Sequence, residues 1–250
     1  MNNASVAIVI VVVLAAVDAS AEGGRLTARG SELMLTTPDG RLLTSRELVG
    51  ATLRLDERDV TIEAVDIETD ARGGVLLLHR FVVLGEDGVR SPLCAPDTRG
   101  ESVGFPIPDG MGGFRIVCTS GALGKCVRWG YRPWDERPGG SPLRALHAAC
   151  VRMVRADYGG DGATATRDGT RIRYCDPFGV VACDNLTARR FEAAWTGAGA
   201  VCVARPRIPA LASLPQLALR YPRLVGRLGT TACTMPRALR DGAVLFSGSP

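Results

Sequence analysis

The sequence predicts an α+β protein: a β-rich N-terminal part followed by a disulfide-stapled part with few helices. Three observations carry that expectation. Apolar and polar residues alternate between frequent turn signals from Gly24 to about Gly113; one strong helical stripe begins at Pro142; and all eight cysteines lie at or beyond Cys94. The order along the chain is read as a leader over 1–21, a β-rich region over 22–117 and a disulfide-rich region over 118–250.

The leader comes first. Val6–Val17 is an unbroken apolar run of twelve, and Ala19-Ser20-Ala21 supplies small residues at a processing site. That pattern is a secretory signal peptide cleaved after Ala21. A spanning helix needs roughly 20 apolar residues, and Asp18 and Glu22 cut this run short. Met1–Ser5 carries no Lys or Arg, so the terminal amine alone supplies positive charge there. The alternative is a leader kept as an anchor. The expected location is secreted, periplasmic or cell-envelope, with the membrane met only through the signal peptide.

Export gives the cysteines a meaning. Cys94, Cys118, Cys126, Cys150, Cys175, Cys183, Cys202 and Cys233 form an even set without a C-x-x-C, and His79 and His147 are the only histidines. Zinc sites want closely paired ligands, so up to four disulfides are expected in an oxidising compartment. Eight cysteines allow on the order of a hundred pairings, so connectivity stays open. The net charge is +4, with Lys125 the sole lysine among thirty basic residues. Acidic residues are interspersed and like charges do not cluster, which argues against nucleic acid.

The strand region follows. Leu53–Leu55 and Val60–Ala64 alternate as half-buried strands do. The phase slips at Ala64-Val65, which predicts a bulge. Val75–Leu84 (VLLLHRFVVL) reads as a more buried strand, or a pair of short ones, with His79 in a structural place, and Pro38–Gly40, Arg72–Gly74, Glu86–Gly88 and Pro108–Gly110 read as turns.

Helices come later. Ser141 is a good N-cap and Pro142 suits the first helical position. Leu143, Leu146, His147, Cys150 and Val154 share one helical face, and Gly159-Gly160 reads as the stop. A second helix is expected from Thr187, with Leu186 and Phe191 as a hydrophobic staple and Phe191, Ala194 and Trp195 on its buried side. Ala200–Ala204 reads as a strand. A short third helix is expected over Leu214–Tyr221, stopped by Pro222.

Several of these segments resemble a known family. Cys118–Cys126 (CTSGALGKC), Val127–Trp134 (VRWGYRPW), His147–Tyr158 (HAACVRMVRADY), Gly160–Gly162, Thr166–Thr170 (TRDGT), Phe191–Trp195 (FEAAW) and Gly199–Cys202 (GAVC) occur in this order. The series, over roughly Cys94 to Cys233, is similar to the ADYC-domain family of exported bacterial proteins. The resemblance implies an exported, disulfide-containing architecture and no particular reaction. At the namesake motif this chain reads Ala156-Asp157-Tyr158-Gly159, with Cys175 standing where related chains carry another residue. The resemblance thus implies a relocated thiol, with Cys175 taking the partner that position 159 would have used.

Three constellations invite chemistry. With Asp157 as first position, Asp161 falls at the fifth, Gly162 at the sixth, the Ala163 carbonyl at the seventh and Asp168 at the twelfth, offsets that suit Ca²⁺. Gly159 at the third, a short Asp at the twelfth and a strand-like Thr170–Tyr174 count against it; the bland reading is carboxylates capping turns. His147 and Cys150 share a helix face, as a thiolate pair would, yet an exported cysteine is better read as a disulfide. Trp129, Tyr131 and Trp134 with Pro133 are the densest aromatic cluster: a binding surface if exposed, a loop anchor if buried, with burial favoured because such area is hard to leave wet. The chain lacks G-x-S-x-G, H-E-x-x-H, Walker and Rossmann signatures. The leading functional expectation is a non-enzymatic envelope or extracellular protein binding an extracytoplasmic ligand or protein. The alternative is a secreted hydrolase using Asp157, Asp161 and Asp168, with or without Ca²⁺.

Overall fold

The computed structural model describes residues 11–13, 20–22, 24–55, 58–85, 87–136, 143–184, 186 and 190–248. The chain divides into two compact units, Met1–Thr69 with Val75–Gly124, and Asp70–Gly74 with Lys125–Pro250.

The first unit is antiparallel β. Its strands are β1 (Val11–Val13), β2 (Ser20–Glu22), β3 (Arg25–Arg29), β4 (Glu32–Thr36), β5 (Leu42–Thr44), β6 (Thr52–Leu55), β7 (Arg58–Thr69), β8 (Val75–Leu84), β9 (Arg90–Pro92), β10 (Gly104–Pro108) and β11 (Phe114–Cys118). One sheet runs β11-β10-β8-β7-β6-β1-β2 with β9 also on β8, and a smaller one runs β3-β4-β5. Most of the apolar leader lies outside the described residues. The backbone of Val11–Val13 pairs with Ser20–Glu22 at the sheet's end, so cleavage after Ala21 would leave β6 as the edge.

The expected bulge in β7 is present, with the register against β8 shifting between Ile62 and Ala64. Before the shift Val60 and Ile62 enter a core with Leu33, Leu35, Leu53 and Phe81. Cys94–Cys118 closes the sheet's far side. Gly104 has no room for a side chain there, because a Cβ would lie 2.5 Å from the Val117 carbonyl oxygen.

The second unit layers helices on a small sheet. The unit boundary falls within α1 (Ala122–Arg128), and α2 (Arg144–Arg155), β12 (Arg173–Cys175), β13 (Phe191–Thr196), β14 (Gly199–Val203), α3 (Leu214–Arg220), α4 (Met235–Arg240) and β15 (Leu245–Gly248) follow. The sheet order is β12-β15-β13-β14. Leu146, Ala149 and Met153 of α2 pack with Ala193, Trp195 and Leu245. On the other side Phe191, Ala194, Val201 and Phe246 gather with Cys233 and Ala238.

This sheet corrects the expected helix at Thr187. Residues 187–189 lie outside the described ones, and Phe191–Trp195 is strand β13. Both faces of β13 are covered, so Phe191–Trp195 are all buried and no period-two alternation exists to be read. The expected start of α2 at Ser141-Pro142 also lies outside the described residues; the helix runs from Arg144, and Leu143 occupies the N-cap. It ends before the expected Gly159-Gly160, at Ala156, which adopts φ 50 and donates its N–H to the Met153 carbonyl. α3 appears where expected, with Ser213 and Gln216 forming a reciprocal capping box.

All eight cysteines are paired, as Cys94–Cys118, Cys126–Cys150, Cys175–Cys183 and Cys202–Cys233. Cys126–Cys150 joins α1 to α2, which excludes the Cys150–His147 thiolate pair. The Cys202–Cys233 bridge closes 31 residues of sequence separation and Cys175–Cys183 closes 8. Loop-closure entropy then predicts that replacing Cys202 and Cys233 with Ala costs about 1 kcal/mol more than replacing Cys175 and Cys183. Urea unfolding midpoints of the two double variants check the order.

His79 is fully buried in β8, stacked on Phe81, with Nε2 2.8 Å from the Ser45 hydroxyl. Burial pushes its imidazole from the ordinary 6.5 down to about 4. Between those values the unfolded chain binds a proton that the folded chain refuses. The contribution of neutral His79 is therefore intact above 6.5 and lost as pH falls toward 4, amounting to about 3 kcal/mol. Denaturant titrations at stepped pH should show this loss, and His79→Leu should remove that share of the slope.

Candidate functional site

The family motif folds as the exit from α2. Ala156 is the only non-glycine residue with positive φ among the described residues. That backbone turns Asp157 and Tyr158 back under the helix. Asp157 is buried; one carboxylate oxygen accepts the Gly160 N–H at 2.8 Å, and the other accepts the Gly162 N–H at 2.9 Å and pairs with Arg152 at 2.5 Å. Gly160 and Gly199 are required by close approach, since a Cβ on Gly160 would lie 2.0 Å from the Ala198 carbonyl oxygen. Arg223 clamps the same turn, donating to the carbonyls of Tyr158, Gly159 and Ala200.

Tyr158 stacks on Trp195 at 5.3 Å between ring centres. Its hydroxyl donates to Glu192 Oε1 at 3.1 Å and accepts the Arg207 backbone N–H at 2.8 Å. Arg207 meets Glu192 with two nitrogens, each at 3.1 Å, and donates to the Met153 and Val154 carbonyls at 2.7 and 3.0 Å. Glu192 is fully buried on β13. Burial pushes its carboxyl above the ordinary range, and Arg207 opposes that push. Burial likewise raises the Tyr158 phenol. Sequence reasoning missed both ionic partners. The available signal was a single Glu inside the apolar FEAAW segment.

Beside this turn opens a cleft of about 460 Å³. Ala156, Ala163 and Ala165 line it from the loop, and Leu211, Ala212 and Leu217 from the segment leading into and along α3. Leu219 and Arg220 stand at its exposed side, with Leu219 87% exposed. Tyr221 also lines it and holds α3 to the loop: its hydroxyl donates to Asp161 at 3.1 Å, and Arg220 donates to the same carboxylate at 3.0 Å. The Ala163 N–H, first, and these two donors hold the Asp161 carboxyl below the ordinary range.

The three candidate calcium ligands thus have different roles. Asp157 caps the turn from within, Asp161 latches α3, and Asp168 is exposed. Among the described residues no group of three or more His, Cys, Asp or Glu could hold a metal ion. The aromatic cluster is a packed unit. Tyr131 is fully buried and donates to Asp176 at 3.2 Å, Trp129 stacks on Tyr174 at 4.7 Å, and Trp134 is half-buried. The Tyr131 ring has no exposed face with which to meet a ligand.

Fold and site together define a disulfide-stabilised α+β protein whose second unit is a helix-covered sheet keyed by a buried ion pair. The family model of the ADYC domain matches residues 45–209, and the chain belongs to the ADYC-domain family. No curated protein and no solved structure matches it. No helix among the described residues is long and apolar enough to cross a membrane.

Truncating one member of a buried ion pair strands its partner. Arg207→Met strips buried Glu192 of its cation and removes the guanidinium donors from the Met153 and Val154 carbonyls, and should cost about 3–5 kcal/mol. Glu192→Gln keeps the shape and one acceptor and should cost about 1–3 kcal/mol. Urea unfolding followed by tryptophan fluorescence, which includes buried Trp195, checks both the size and the order.

Proposed function

We propose that this protein is a non-enzymatic extracytoplasmic binding protein, and that the cleft beside the ADYC turn holds its ligand. The observation that carries this reading is the cleft itself: about 460 Å³, lined mostly by alanine and leucine side chains, on a turn fixed by Asp157, Tyr158 and Arg223. That volume and lining suit a small apolar molecule. The acidic groups nearest it are occupied in holding structure, Asp157 with Arg152 and Asp161 with Arg220 and Tyr221. Export is supported by the apolar leader with its small-residue exit and by four disulfides, which persist in oxidising compartments.

Expressed with its leader, the protein should be recovered outside the cytoplasm with Glu22 as its first residue by mass. The purified chain should bind the uncharged probe N-phenylnaphthylamine at one saturable site. Ala163→Phe, which projects a ring into the cleft from a half-buried position, should weaken that binding by about tenfold or more. Unchanged probe affinity in a folded Ala163→Phe protein would defeat the reading.

A further inference from the structure

The charge at the cleft is one-sided. Among the described residues that line it, Arg220 is the one charged side chain, and the remainder of the lining is mostly alanine and leucine. Two polar groups near Arg220 are already engaged. The Tyr221 hydroxyl donates to Asp161, and the Gln216 amide oxygen serves the cap at Ser213. Asp161 lies outside the lining, with its carboxylate shared among Ala163, Arg220 and Tyr221. Arg220 itself directs one nitrogen to Asp161 at 3.0 Å. A guanidinium carries five N–H donors in a planar fork matched to a carboxylate, so further donors stand at the mouth. From this geometry we infer that the ligand is an acyl-chain carboxylate, with its chain on the alanine and leucine floor and its carboxylate on Arg220.

The inference rests on the binding role proposed above and names the ligand for that cleft. Asp161 keeps its place in the complex, because the arriving carboxylate uses guanidinium donors that Asp161 leaves open.

Calorimetric titration of the intact mature protein with decanoate, decanol, decylamine and decyl phosphate tests this. Decanoate should bind about tenfold more tightly than decanol, and decylamine more weakly than either. In Arg220→Gln the preference for decanoate over decanol should vanish, whatever the variant's affinity for decanol. Asp161→Asn, which removes the latch's anion and keeps the cation, should preserve the decanoate preference; loss of that preference with decanol binding retained would place the discrimination in the latch and overturn the inference. Equal affinity for decanoate and decanol, or tighter binding of decyl phosphate, overturns the carboxylate assignment and leaves the cleft a binding site. Absence of binding by all four overturns the binding role as well.

Discussion

The Glu192–Arg207 pair is the constraint on which the second unit depends. Both side chains are buried, and isolated charges in such a place are costly. They persist because hydrogen bonds surround them: Arg207 spans Glu192 and two carbonyls of α2, while the Tyr158 hydroxyl bridges Glu192 and the Arg207 backbone. The same two carbonyls, Met153 and Val154, belong to the last turn of a helix, where intrahelical donors run out. Strand β13, the end of α2 and the segment before α3 are thereby tied at one point. Tyr158 reaches this point from the turn that the left-handed Ala156 opens.

How much of this was legible follows from how much of each element faces water. Strands β7 and β8 and the bulge between them were readable because one side alternates. α2 showed its stripe because its outer face is polar. β13 hid because both its faces are covered, leaving FEAAW with the look of a helix. α1 and α4 are short; α1 carries Gly124, whose missing side chain lets it lie against the Cys118 carbonyl. The Glu192–Arg207 pair spans fifteen residues with no period joining them, so spacing held no trace of it. The cleft arises from tertiary packing of small residues, which leave no motif.

A second regularity was written in the sequence at a finer scale. Asp70, Asp97, Asp109 and Asp176 each precede a glycine by three residues, and each accepts backbone N–H groups two and four positions onward. The glycines, at 73, 100, 112 and 179, all take positive φ. The carboxylate replaces the strand ladder where the chain reverses, and glycine permits the left-handed step. Asp157 and Gly160 repeat the spacing with a shifted set of N–H donors. The acidic loop that matches calcium offsets is thus one member of a turn family spread through both units. Metal-like spacing and turn-capping spacing coincide because both aim backbone and carboxylate at a common centre.

The motif's fourth residue shows where this chain separates scaffold from site. Gly159 stands in the place for which the family is named Cys, and a Cβ there would lie 2.2 Å from the Tyr221 ring. Tyr221 therefore fills the space a side chain at 159 needs. Tyr221 is also a wall of the cleft and half of the Asp161 latch. The first three motif residues hold the turn, while the fourth yields room to the segment that shapes the cleft. Leu211, Leu219, Arg220 and Tyr221 line the cleft, while the Glu192–Arg207 anchor draws on β13, the end of α2 and the segment before α3.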